Sequence, residues 1–172
     1  MSSARALHAN DLLLPVTEIR VTMHTLGIIF ESDTRSKNHT SIYLLTGQRS
    51  SVQLNMIKAN PTAVMGTLER KFYLYEVSNT ALHNINMLAI EGLTVGKTID
   101  LLEQKGRDKY QLAPSGVGCR FWVKTILQDM EDAGYIDPAS PTRVRQAYED
   151  IEHNYSKGQA RELSPIVPGV FV

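Results

Sequence analysis

The single cysteine of this 172-residue chain stands in Gly118-Cys-Arg-Phe-Trp122, where an irregular stretch gives way to a helical apolar pattern. In the first turn of a helix, unpaired backbone N–H groups and the helix dipole favour a thiolate over a thiol, and a nucleophilic sulfur needs that shift. Gly116 and Gly118 leave space beside Cys119 for a carbonyl to approach and for backbone N–H groups to receive an oxyanion. The same position also suits an inert cysteine serving as a small apolar residue. The two alternatives differ in whether a base faces the sulfur.

Three of the five histidines, His24, His39 and His83, fall on strands or strand ends. His39 is preferred as the base because it opens a strand after the polar loop Glu31–Asn38, a rigid position from which a ring reaches a cleft. His24, on the polar side of the first strand, is second choice. A third group must hold the imidazole by accepting its other N–H. If the hairpin turn centres on Gly47-Gln48, cross-strand residue numbers sum to about 94 or 95, which sets Asn55 opposite or almost opposite His39. Gln53, a diagonal step away on the same face, is the alternative orienter. Gly118, Arg120 and Trp122 beside the sulfur, with Gln53 and His24 on the strands, are the expected substrate-binding residues.

The chemistry expected of this set is acyl or aminoacyl transfer through a thioester on Cys119, ending in hydrolysis or amide formation. His39 would be base and then acid, Asn55 the orienter, and the substrate a small-molecule or peptide-like acyl compound. The competing expectation is a non-catalytic binding module with a structural cysteine, using a surface that includes Trp122 and the last residues of the chain.

These residues must be positioned by two kinds of element. Ile19, Val21, Met23 and Thr25 alternate with Arg20, Thr22 and His24, the period of a half-buried strand over Val16–Thr25. His39–Leu45 and Ser51–Ile57 read as a hairpin around Thr46–Ser50, Gly66–Val77 as a fourth strand and Asn84–Ile90 as a fifth. From Gly92 the period becomes helical. Thr94 caps a helix that stops at Lys105-Gly106, and Cys119, Trp122, Val123, Ile126, Leu127 and Met130 stripe a second that ends at Gly134. Ser140 and Pro141 open a third, and Leu163–Val172 reads as irregular. The fold class is therefore α+β, an antiparallel sheet of four to six strands packed against C-terminal helices. Residues 1–172 read as one domain, with 1–15 and 160–172 as peripheral tails.

The order of His-bearing strand, hairpin, further strands, Tyr110-Gln-Leu and then Gly118-Cys-Arg-Phe-Trp122 opening a helix resembles the circularly permuted papain-like proteins. These are the permuted NlpC/P60 group, which includes lecithin–retinol-acyltransferase-like and deSUMOylase-like enzymes. The resemblance implies a His strand preceding a Cys helix and thioester chemistry. The usual motif there has Asn before the cysteine, whereas this chain has Gly118. The stretch from His39 through Gly134 is also similar to a family of small uncharacterised proteins of filamentous fungi, through "Asn-His…Ile-Tyr-Leu-Leu", "Gly-Cys-Arg-Phe-Trp-Val" and "Asp-Leu-Leu".

Composition narrows the setting. Lys plus Arg and Asp plus Glu both number 18, so no broad nucleic-acid or anionic-membrane surface is expected. Hydrophobic residues at 42% suffice for a core, and a lone cysteine without a leader-like apolar run points to a reducing, cytoplasmic setting. No run approaches the roughly 20 apolar residues of a membrane span. There is no phosphate-cradling loop and no zinc spacing, so neither cofactor nor metal is expected. The acidic groups Asp129, Glu131 and Asp132, and Glu149, Asp150 and Glu152, read as solvated helix faces.

Overall fold

The computed structural model describes all residues except 1–3, 29–35, 48, 61, 76–77, 79, 114–117 and 139–140, and for 26–28, 36–37 and 141–142 it describes the backbone alone. The alternation read from the sequence produces β2 (Glu18–Ile28), β3 (Ser36–Gly47), β4 (Ser50–Lys58), β5 (Gly66–Tyr73) and β6 (Ala81–Leu88). With the two-residue β1 (Arg5–Ala6) they form a six-stranded antiparallel sheet in the order β1-β5-β4-β3-β2-β6. The helical patterns become α1 (Val95–Gln104), α2 (Cys119–Asp132) and α3 (Pro141–Ile151). The expected α+β class is thus the observed one. Ser140, the expected cap of α3, and Gly116 lie outside the described residues.

One face of the sheet is apolar and takes the helices. Ile19, Val21 and Met23 of β2, Ile42 and Leu44 of β3, and Val52, Leu54 and Met56 of β4 are buried with Trp122, Val123, Ile126, Leu127 and Met130 of α2. Burying each such side chain contributes roughly 1.5–3 kcal/mol. Thr94 caps α1 by accepting the Lys97 N–H at 3.2 Å. Trp122, expected on a binding surface, is instead fully buried, and its Nε1–H donates to the Arg107 carbonyl at 2.8 Å. Its place in the apolar stripe overrides its proximity to Cys119, so it is a core residue.

The other face is polar yet largely buried. β5 lies near one edge and β6 forms the other, so the link between them must cross the sheet. Its described residues lie on the polar face: Ser51 Oγ donates to the Tyr75 carbonyl at 2.6 Å, and His24 Nδ1 lies 2.8 Å from Thr80 Oγ1. Beneath this crossing His24, Ser41, Tyr43 and Gln53 are buried.

Two expectations need correction. Asp129 and Asp150 are not solvated: Arg107 donates to both Asp129 oxygens at 2.7 and 3.1 Å, and Asp150 takes Gln146 at 2.7 Å, Arg161 at 2.8 Å and His83 at 2.8 Å. A buried carboxylate requires such partners. The last residues are not wholly irregular either. β8 (His153–Asn154) pairs with β9 (Glu162–Leu163), and β10 (Val170–Phe171) pairs with β7 (Tyr110–Gln111). Among the described residues, no helix is long and apolar enough to cross a membrane.

Candidate active site

Cys119 is the first residue of α2, with Gly118 as its cap. Gly118 has φ 134°, a conformation that side chains disfavour, and a Cβ there would lie 2.9 Å from the Tyr110 hydroxyl. Its carbonyl accepts that hydroxyl at 2.8 Å. The glycine before the sulfur is thus needed for close packing on Tyr110, which is itself fully buried.

The hairpin carries the other two groups. Its pairs are Ile42 with Leu54, Tyr43 with Gln53 and Leu44 with Val52, and a register shift follows between Leu45 and Gly47. Continued, that register sets Asn55 against Ser41, not against His39 as the turn-centred count expects. The irregular turn, with Gly47 at φ 76° and Arg49 at φ 59°, accounts for the offset. The contact forms diagonally all the same, because His39 and Asn55 share the polar face and His39 Nε2–H donates to Asn55 Oδ1.

The β3–β4 ladder ends at Ile42 and Leu54. Past that point Thr40 has no β4 partner, and its backbone N–H and the His39 ring both lie near enough to the Cys119 sulfur to favour its ionised form. Asn55 engages Nε2 of that ring. Cys119 and His39 are both partly exposed. The hydroxyl of Thr40, by contrast, is buried and has no hydrogen-bond partner among the described residues.

Electrostatics follow from this packing. Burial pushes the Cys119 thiol up, but the hydrogen bond and charge of His39, the Thr40 N–H and the nearby Arg120 outweigh it, so the thiol ionises below its ordinary value. Burial likewise pulls His39 down, and the bond to Cys119 and its charge, the bond to Asn55 and the charge of Glu69 reverse this, leaving the imidazole above its ordinary value. Each group favours the charged form of the other, the condition for a thiolate–imidazolium pair.

His24 does not take the place of the base. It is the cross-strand mate of His39, with ring centroids 6.2 Å apart, but both of its nitrogens are occupied, Nδ1 by Thr80 and Nε2 by Ser41 at 2.8 Å. Gln53 is similarly committed, donating to Ser41 Oγ at 3.0 Å and accepting from the Tyr73 hydroxyl at 3.1 Å, so it is not the orienter. Arg120 points away into four bonds with Ile151, Ser164 and Pro165. Of the expected residues, the structure therefore brings together Cys119, His39 and Asn55, with Gly118 behind the sulfur, and sets His24, Gln53, Arg120 and Trp122 in supporting positions.

Burial and the charge of His39 push His24 down to about 4 from an ordinary 6.5. Its folded value lies below its unfolded value, so as pH falls from 6.5 the unfolded chain gains a proton that the folded chain refuses. His24 is therefore expected to remove about 3 kcal/mol of stability across that window. Urea unfolding from about pH 7 to about pH 4.5 checks this, and His24→Gln should flatten the slope.

Sequence reasoning missed Thr40, Glu69 and Tyr110. Glu69 faces Asn55 across the β4–β5 ladder, a pairing that no local pattern discloses. The Tyr110-Gln-Leu element was visible, although its hold on Gly118 was not. Among the described residues no group of three or more His, Cys, Asp or Glu is arranged to hold a metal.

No curated protein and no solved structure matches this chain. Residues 19–172, which include every residue of the site, match the family model "Domain of unknown function (DUF7770)", and the chain belongs to that family.

Proposed function

We propose that the chain is a cysteine-dependent acyl or aminoacyl transferase or hydrolase that works through a thioester on Cys119. The observation that carries this reading is Cys119 at the head of α2 beside the His39 ring, each favouring the charged form of the other, with Asn55 bonded to Nε2 of that ring. The thiolate Sγ attacks the carbonyl carbon of a small-molecule or peptide-like acyl group, and the carbonyl electrons move onto oxygen. As the tetrahedral adduct collapses, the bond to the leaving group breaks and His39 gives that group its proton, leaving the acyl thioester. Water or an amine then attacks, His39 takes the proton released, and the thiolate departs. Each step uses side chains of this chain. The order of His strand before Cys helix, as in the permuted papain-like proteins, supports the same reading. So does a lone cysteine, which suits a reducing, cytoplasmic setting.

The test is the rate of iodoacetamide alkylation against pH in the folded protein. The rate is expected to rise through a midpoint well below the ~8.5 of a free thiol. A midpoint at the free-thiol value, or no labelling until the protein unfolds, would instead indicate a structural cysteine and a binding module.

A further inference from the structure

The chain neighbours of both reactive candidates are bonded to one segment, the stretch that follows α3. Asn38, next to His39, holds the Tyr155 backbone at both ends: its Nδ2 donates to the Tyr155 carbonyl at 2.8 Å and its Oδ1 accepts the Tyr155 N–H at 2.6 Å. Arg120, next to Cys119, donates to the carbonyls of Ile151 at 3.0 Å, Ser164 at 2.6 Å and Pro165 at 3.2 Å, and to Ser164 Oγ at 3.1 Å. Gly118, on the other side of Cys119, is tied through the Tyr110 hydroxyl, which accepts the Gly169 N–H at 2.9 Å.

The segment is itself anchored independently of these ties. The Tyr155 ring stacks on His83 with centroids 4.7 Å apart and planes 2° apart. Arg161 bonds Asp150 at 2.8 Å and Glu149 at 3.0 Å on α3. Ser164 N–H donates to the Glu152 carbonyl at 2.8 Å, closing the β8–β9 hairpin. Two elements that share no strand pairing, the start of β3 and the start of α2, are thus fixed to one independently braced piece of chain.

Arg120 is unusual in this set. A half-buried guanidinium ordinarily meets a carboxylate. Here its hydrogen bonds all go to carbonyls and one hydroxyl, and the charges that act on it are those of Cys119 and Glu152. Its forked geometry, which binds three carbonyls at once, is what a lysine ammonium cannot reproduce.

We infer that the segment Glu152–Gly169 is a clamp that sets the distance between Cys119 and His39, with Arg120 and Asn38 as its two positioning residues. This rests on the reading of Cys119 and His39 as nucleophile and base. Neither positioning residue touches the reacting atoms through its bonds to the segment. They act by fixing the first turn of α2 and the start of β3 relative to each other, and a displacement of the order of 1 Å is enough to weaken such a pair.

The test uses the full chain with Arg120→Lys and Asn38→Ala, and reads two quantities: hydrogen exchange over residues 152–172 and the alkylation rate of Cys119 against pH. Several charged or titratable groups besides His39 act around the sulfur: Arg120 on its own helix, Glu69 on β5, His24 on β2, Tyr110 on β7 and Glu152 after α3. Arg120→Lys keeps the charge beside the sulfur and removes the fork. It is expected to speed exchange in the segment, raise the alkylation midpoint by about one pH unit and slow alkylation near pH 6.5 by about tenfold. Asn38→Ala, which leaves the guanidinium intact, is expected to shift both readouts in the same direction. Should Arg120→Lys fail to fold, Asn38→Ala decides alone. A loosened segment with an unchanged alkylation profile overturns the clamp, as does a profile in Arg120→Lys identical to the unaltered protein. An ordinary thiol midpoint in the unaltered protein overturns the nucleophile reading and the clamp together, so the two failures are told apart.

Discussion

Cys119→Ser is expected to lower turnover of an activated acyl ester by roughly 10³-fold or more, with the melting temperature almost unchanged. A serine hydroxyl stays protonated near neutrality, and the groups around it stabilise a thiolate that serine does not form. The near-constant stability has a separate basis. The sulfur already sits near polar groups, the Thr40 N–H and the His39 ring, which are able to receive a hydroxyl. Were Cys119 an apolar packing residue, the same change would bury a hydroxyl at a cost of about 1–3 kcal/mol. The paired measurement of ester turnover and thermal unfolding thus separates the roles. Full activity in Cys119→Ser would end the thioester mechanism.

The second large effect is expected from His39→Ala, with Asn55→Ala as its graded companion. On the proposed mechanism, removing the imidazole takes away both the proton carrier and the largest influence favouring the thiolate. Turnover near neutral pH should fall by about 10²–10⁴-fold and the alkylation midpoint should rise to the ordinary thiol value. Asn55→Ala leaves the ring in place and removes only the acceptor that fixes its orientation, so its loss should be smaller on both readouts. The expected ranking is Cys119 at least equal to His39, and both above Asn55. Loss in Asn55→Ala equal to that in His39→Ala would show that Asn55 does more than orient.

Local patterns disclosed the site where a single element carries the information. The start of α2 was legible because Gly118 breaks one pattern and the stripe from Cys119 to Met130 begins another. The His39–Asn55 contact was legible because both residues lie on one hairpin, although the register was offset by the irregularity between Leu45 and Gly47. Trp122 lay in the stripe as well as beside the cysteine, and packing decided between the two. What stayed hidden depends on partners far apart in the chain. Asp129 and Asp150 looked solvated because Arg107 and Arg161, which neutralise them, come from outside the helices. Glu69 reaches the site only through the β4–β5 register. Strands of two residues, such as β1 and β7 to β10, are too short to show any period.

The crossing between β5 and β6 bears on how the molecule assembles. The β3–β4 hairpin closes over a handful of residues and can form early, whereas β6 must find its neighbour β2 far back in the chain, with Ile19 pairing to Met87 and Val21 to Ile85. Contacts of such sequence separation carry the larger loop-closure cost and form late. Cys119 lies later still in the chain, on a helix whose docking face is that same completed sheet. His39 and Asn55 are therefore expected to meet during an early local step and to gain the sulfur beside them only in a final one. With Cys119 as the proposed nucleophile, the appearance of a fast-alkylating thiol in a refolding time course is expected to mark the arrival of the native state itself, after species that carry an ordinary cysteine.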